Sequence, residues 1–101
     1  MPENISEQAH GLVLVFSRYN SSTGEAMNES FSCHFLPKQV VPLTSGCGFN
    51  FNLIGMWANG MKYIYVTDTY LRGHTNNTAE ATFNGIAYKN NYYVLRYVIG
   101  V

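Results

Sequence analysis

Met61 to Tyr70 reads MKYIYVTDTY. Tyr63, Tyr65 and Thr67 fall on one side of an extended chain, and Ile64 and Val66 on the other. That two-residue period predicts a β-strand. The same reading extends outward in both directions. Toward the C-terminus the chain ends in Tyr92 to Ile99, YYVLRYVI, composed almost wholly of β-forming residues. One face of that strand is expected to carry Tyr93, Leu95, Tyr97 and Ile99, the other Tyr92, Val94, Arg96 and Val98. Toward the N-terminus, Phe49, Phe51 and Leu53 alternate with Asn50 and Asn52 and are expected to point inward. Phe31 to Phe35, FSCHF, alternates as well, with Phe31, Cys33 and Phe35 facing one way and Ser32 and His34 the other, the period of a half-buried strand. Gly11 to Phe16, GLVLVF, is continuously apolar and reads as a strand covered on both faces.

Turn chemistry separates these segments. Arg18 to Asn28 holds Asn20, Ser21, Ser22, Thr23 and Gly24 and predicts a loop. Pro37 ends the third strand. Val40 and Val41 suggest a short extended piece bent by Pro42, and Thr44 to Gly48 a turn. Gly55 to Gly60 is a glycine-bracketed loop ending in Asn59-Gly60. Gly73 to Thr78 reads as polar loop. Asn84-Gly85 is a hairpin turn between Ala81-Thr82-Phe83 and Ile86-Ala87-Tyr88. The expected fold is all-β: an antiparallel, jelly-roll-like β-sandwich of about seven to eight short strands. Residues 1–10 read as an N-terminal arm or linker and residues 11–101 as a single sandwich domain.

Composition narrows the function. The chain has 101 residues, enough for one core. Charged residues are 12%, and six basic side chains cancel six acidic ones. A neutral surface argues against nucleic-acid binding. No run of 18 apolar residues occurs, so no membrane insertion through such a segment is expected. MPENISEQAH lacks the basic and apolar regions of a signal peptide.

Catalysis and metal chemistry find little support. Asp68 is the single aspartate, and the glutamates lie in the arm and loops, with no carboxylate pair set on one strand. His10, His34 and His74 are scattered. Ser17 or Ser32 with His34 and Asp68 has no elbow motif behind it. Cys33, His34, Cys47 and His74 lack the spacing of a metal site. Cys33 and Cys47 can form a disulfide in an oxidising compartment or pack as two free buried thiols. No enzyme activity, cofactor or metal is expected.

Recognition is better represented. Trp57 sits in the glycine-bracketed loop, and Tyr70, Arg72, His74, Asn76 and Asn77 cluster in the next one. Aromatic and amide residues on loops at one end of a sandwich suit a carbohydrate- or protein-binding rim. Trp57 also reads as a plug for the end of the core, with the asparagines serving turns. Trp57, Tyr70, Arg72, His74 and Asn76 are the candidate receptor- or glycan-binding residues. The first and last strands are apolar on both faces, whereas a lone sandwich covers one face of each sheet. A subunit interface is the simple answer, with Tyr92, Val94, Arg96 and Val98 as its candidate residues; the alternative is a barrel-like closure or a flap made by the N-terminal arm.

Several segments together resemble a known family. Glu3 to Tyr19 (ENISEQAHGLVLVFSRY), Phe35-Leu36-Pro37-Lys38, Lys62 to Thr69 (KYIYVTDT) and the ending from Asn84-Gly85-Ile86 through Tyr92 to Val101 are similar to the C-terminal domains of bacteriophage and prophage tail-fibre, baseplate or minor structural proteins. The resemblance covers nearly the whole chain and rests on strand-and-turn segments. It implies a β-sandwich knob, homotrimeric about a fibre axis, located in the virion at the tail or particle surface after synthesis in the bacterial cytoplasm. Its implied partners are other copies of itself, other phage tail or virion proteins, and a host cell-surface saccharide or protein. It implies no cofactor. A capsid decoration or fibre-assembly protein without receptor binding, and a small soluble lectin, are the alternatives.

Overall fold

Gly11–Asn20 forms β1, and its composition explains its place. Leu12, Leu14 and Phe16 are fully buried, and Val13, Val15 and Ser17 line the opposite face. The computed structural model describes residues 4–44, 46–54, 59–83 and 85–101. The strands that follow are β2 (Glu25–Ala26), β3 (Ser32–Pro37), β4 (Gly48–Ile54), β5 (Asn59–Val66), β6 (Leu71–Gly73), β7 (Glu80–Phe83), β8 (Ile86–Lys89) and β9 (Tyr93–Gly100). β1 pairs antiparallel with β3 through Gly11 to Phe16 and with β9 through Leu12 to Arg18. Both partners share residues 12–16 of β1, so they occupy its two edges and β1 is central. β4, β5 and β6 make a second antiparallel sheet, and β7 with β8 a two-stranded ribbon.

The two larger sheets close on one core. Leu12, Leu14, Phe16, Leu36 and Tyr93 come from the first, Phe51, Leu53, Ile64 and Val66 from the second. This is the antiparallel β-sandwich that the alternating segments predicted. Ile5 and Val41 complete the core from outside the sheets. Ile5 lies in a 3-10 turn, Ile5–Glu7, held by Asp68. The Ile5 amide donates to the Asp68 carbonyl at 2.9 Å, and the Ser6 amide to its carboxylate at 2.7 Å. The segment expected as an arm thus packs against the domain from residue 4 onward.

Four local expectations change. The chain does not loop at Arg18: β1 runs on to Asn20 and returns as β2, with the Asn20 side chain accepting from the Ser22 amide at 3.0 Å and Gly24 taking a φ of 75°. Val40 and Val41 are not extended: a 3-10 turn Lys38–Val40 runs into the single-turn helix α1, Val41–Thr44, where Pro42 needs no amide hydrogen. Leu71–Gly73 is a strand and Thr75–Thr78 a 3-10 turn, where a loop was expected.

Register decides which side of the third strand meets the core. Leu12 pairs with Leu36 and Leu14 with His34, and directly paired residues share a face. His34 and Leu36 therefore follow the leucines inward. Phe31, Cys33 and Phe35 are exposed. The FSCHF pattern is the more apolar on the side that faces outward, so hydrophobicity alone selects the wrong face. Gly11 helps hold this register. It faces Pro37 across the ladder with φ at 152°, and a Cβ there would lie 2.1 Å from the Leu36 carbonyl oxygen. Gly11→Ala is expected to cost about 1–3 kcal/mol, because backbone rather than a movable side chain must yield. Urea denaturation measures it, and an unchanged midpoint would contradict the tight approach.

The last strand also departs from strict alternation. Val15 pairs with Tyr97 and Phe16 with Leu95, so Arg96 is an extra residue and forms a β-bulge. Beyond a bulge the facing reverses. Tyr93, Leu95 and Val98 lie on or against the core, while Tyr97 and Ile99 are exposed. Tyr92, Val94, Arg96 and Val98 therefore do not share one outer face. Tyr92 packs on the core, with Arg18 and Lys89 against its ring. Arg96 is folded back, donating to Ser17 Oγ at 3.1 Å and Asn28 Oδ1 at 3.0 Å.

Candidate functional site

β5 alternates buried and half-buried residues along its length. Lys62, Ile64 and Val66 point inward; Met61, Tyr63 and Tyr65 point out. Tyr65 lies opposite Arg72 of β6, and β6 stops at Gly73. The ladder does not stop there. Asn77 turns its side-chain amide onto Tyr63, accepting from the Tyr63 amide at 2.7 Å and donating to its carbonyl at 2.9 Å. One side chain thus does the work of a further strand residue and brings Thr75–Thr78 beside the outward face.

The result is an aromatic shelf. The Tyr63 and Tyr65 rings meet edge to face at 5.3 Å. His74 stands at 5.9 Å from Tyr63 and 6.3 Å from Tyr65. The Arg72 guanidinium lies 4.8 Å from the Tyr65 ring centre, within cation–π range. The Tyr63 ring lies over Gly48, where a Cβ would come within 2.1 Å of it. Beside the shelf is a cleft of about 270 Å³ lined by Asn50, Met61, Tyr63, His74, Asn77 and Asn90. Rings with apolar faces and polar edges, next to amides and a guanidinium, suit a ligand that is itself part apolar and part hydroxylated.

Lys62 supports this shelf from beneath. It is 7% exposed. Its Nζ donates to the carbonyl of Asn90 at 2.8 Å and to that of Asn77. Among the described residues no carboxylate pairs with it, and burial pushes its pKa from 10.5 down to about 8. The ammonium therefore ties the 3-10 turns Thr75–Thr78 and Asn90–Tyr92 to β5 by charge-assisted hydrogen bonds alone.

The structure brings Arg72 and His74 together, but on a strand and its end rather than in a loop. Tyr70 is exposed in the β5–β6 turn, where its amide donates to Thr67 Oγ1 at 3.2 Å. Trp57 lies outside the described residues, as does the side chain of Asn76. Tyr63, Tyr65, Asn50 and Asn77 complete the site. The shared face of Tyr63 and Tyr65 was readable from alternation; its proximity to His74 follows from the β5–β6 register, which sets Gly73 opposite Ile64 and lets the His74 amide donate to the Tyr63 carbonyl at 3.2 Å, with Asn77 adding a second hold.

A larger cavity, about 460 Å³, lies between Ser6, Lys38, Val41, Pro42 and Asp68. Its polar groups serve the fold: Asp68 accepts from Ser6, and Lys38 Nζ donates to the Gln8 carbonyl at 3.0 Å. Ser32 and His34 hydrogen-bond at 2.9 Å, but the imidazole is packed edge-on between Phe16 and Phe51, and burial lowers its pKa. No hydrogen bond links it to Asp68 among the described residues. Nor does a group of three or more potential metal ligands occur among them. Cys33 and Cys47 are free thiols, both exposed rather than buried.

Comparison of the chain with protein-family models, with curated proteins and with solved structures finds no match.

Proposed function

We propose that this chain is a non-enzymatic structural and adhesion domain of a bacteriophage virion, at a tail fibre or receptor-binding tip, that attaches to a host cell-surface saccharide. The observation that carries the reading is the shelf of Tyr63, Tyr65, Arg72 and His74 beside the amide-lined cleft. A sugar ring offers C–H faces for stacking and hydroxyls for the amides and the guanidinium. Each contact is weak and solvent-exposed, so useful affinity depends on several copies acting together, as a homotrimer on a fibre would. The phage context is supported by the resemblance in the strand segments at Phe35–Lys38, Lys62–Thr69 and Asn84–Val101.

The test uses two substitutions on the shelf. Tyr65→Ala and Arg72→Ala are expected to lower host-cell attachment by about tenfold or more, as loss of an aromatic or arginine anchor does. The melting temperature should hold, because neither side chain belongs to the core. Full attachment by both variants rules out the shelf. A second reading, a capsid decoration or fibre-assembly protein without a receptor, draws on the apolar outer face of the other sheet. Binding to capsids or fibres together with indifference to host cells would favour it.

A further inference from the structure

The outer face of the β9–β1–β3 sheet has a composition that water does not favour. Ladder pairing sets Ile99, Val13 and Phe35 in one row, and Tyr97, Val15 and Cys33 in the next. All six are apolar or weakly polar. Phe35, Tyr97, Ile99 and the adjoining Phe31 are 48–54% exposed. A solvated sheet face normally alternates to polar residues. Only at the upper end is this one closed, where Arg96 lies between the rings of Phe31 and Tyr97 at 5.7 and 5.6 Å.

We infer that this face seats a second copy of the chain. The argument is one of area and symmetry. Four large side chains half in water, with Val13 and Cys33 between them, expose roughly 500 Å² of apolar surface, at the upper end of what a monomer shows. A stable interface takes about 800 Å² from each partner, apolar at its centre and polar at its rim. The face supplies that centre, and Arg96 with the Met27–Ser30 segment it binds supplies a rim. A patch with no charge in its middle matches itself, which is the requirement for contact between identical surfaces. The sheet is complete without the partner, so the face is covered by docking and not by folding.

The inference gives the multivalent part of the reading above a two-fold pair in place of a three-fold arrangement, and rests on that reading only for the purpose association serves. Sedimentation equilibrium tests it on the intact chain. The wild type is expected to associate. Phe35→Asp and Ile99→Asp should each give a folded monomer whose melting temperature matches that of the wild type at dilution and does not rise with concentration, since both positions are exposed. Leu43→Asp is the control: Leu43 is 80% exposed on α1, outside this sheet, and its change should leave association intact. Thiol labelling gives a second readout. Cys33 should become slower to label as concentration rises while Cys47, which precedes β4 in the opposite sheet, does not change. A wild type that stays monomeric, face variants that still associate, or uniform labelling of both cysteines would overturn the inference. A protein that associates through this face yet ignores host cells would sink the attachment reading alone.

Discussion

Phe16→Ala is expected to be the most damaging single truncation in this domain. The Phe16 side chain is fully buried where the two sheets meet. Its ring touches His34 of its own sheet at 5.6 Å and Phe51 of the opposite sheet at 5.8 Å. Removing it opens a cavity that neither sheet can collapse into, because β1 is pinned on both edges. The cost should be about 3–5 kcal/mol, against a total stability for such a domain of about 5–15 kcal/mol. A fall in melting temperature of roughly 15 °C or more follows. The same variant uncovers one side of the His34 imidazole, whose pKa should then climb back toward its ordinary value. Thermal denaturation and an NMR titration of His34 read the two effects. A loss below about 1 kcal/mol would mean that the sheets are not joined through this ring.

Lys62→Met carries the second large effect, and its sign depends on pH. Burial holds the folded-state pKa at about 8, below the ordinary 10.5. Between those values the unfolded chain binds more protons than the folded one, so stability must rise with pH across that window. At and below about pH 8 the charged amine costs stability; above it the cost is progressively relieved. The full drop corresponds to at most about 3 kcal/mol, less whatever solvent screens at the Nζ end. Methionine removes that cost but leaves two acceptors, the carbonyls of Asn77 and Asn90, without their donor. Each orphaned carbonyl costs about 1–3 kcal/mol. Near pH 7 the two effects largely offset, and Lys62→Met should be close to neutral or modestly destabilising. Near pH 9.5 the wild type has shed most of its penalty and the variant should be clearly weaker. Denaturation of both proteins at the two pH values isolates Lys62, since other titrating groups are common to both. A difference that does not grow with pH would contradict the buried, unpaired amine. Attachment by Lys62→Met should weaken as well, because the turns that carry Asn77 and Asn90 lose their anchor.

Much of the fold was legible in the sequence. The period-two pattern at Met61–Tyr70 and Phe49–Leu53 identified both strands, the two faces of the first and the inward residues of the second. The pairing of Tyr63 with Tyr65 on one face was legible for the same reason. The pattern left the facing of FSCHF open, and the register with Leu12 and Leu14 turns its less apolar side, Ser32 and His34, to the core. It misled at YYVLRYVI, because an inserted residue at Arg96 reverses the facing and leaves no mark in composition.

What the sequence by itself determined is therefore local: an all-β chain, the places of most strands, the doubly apolar character of the first and last of them, and the aromatic content of the fifth. These depend on neighbours one or two residues apart, which alternation and turn chemistry report directly. Tertiary structure decided the rest. It turned Phe31, Cys33 and Phe35 outward, buried Ile5 beneath Asp68, and through the β5–β6 register set His74 beside Tyr63 and Tyr65. Each of those outcomes joins residues far apart in the chain. The first was settled by the face that β1 commits to the core, the others by backbone contacts between distant residues, choices that no residue makes alone.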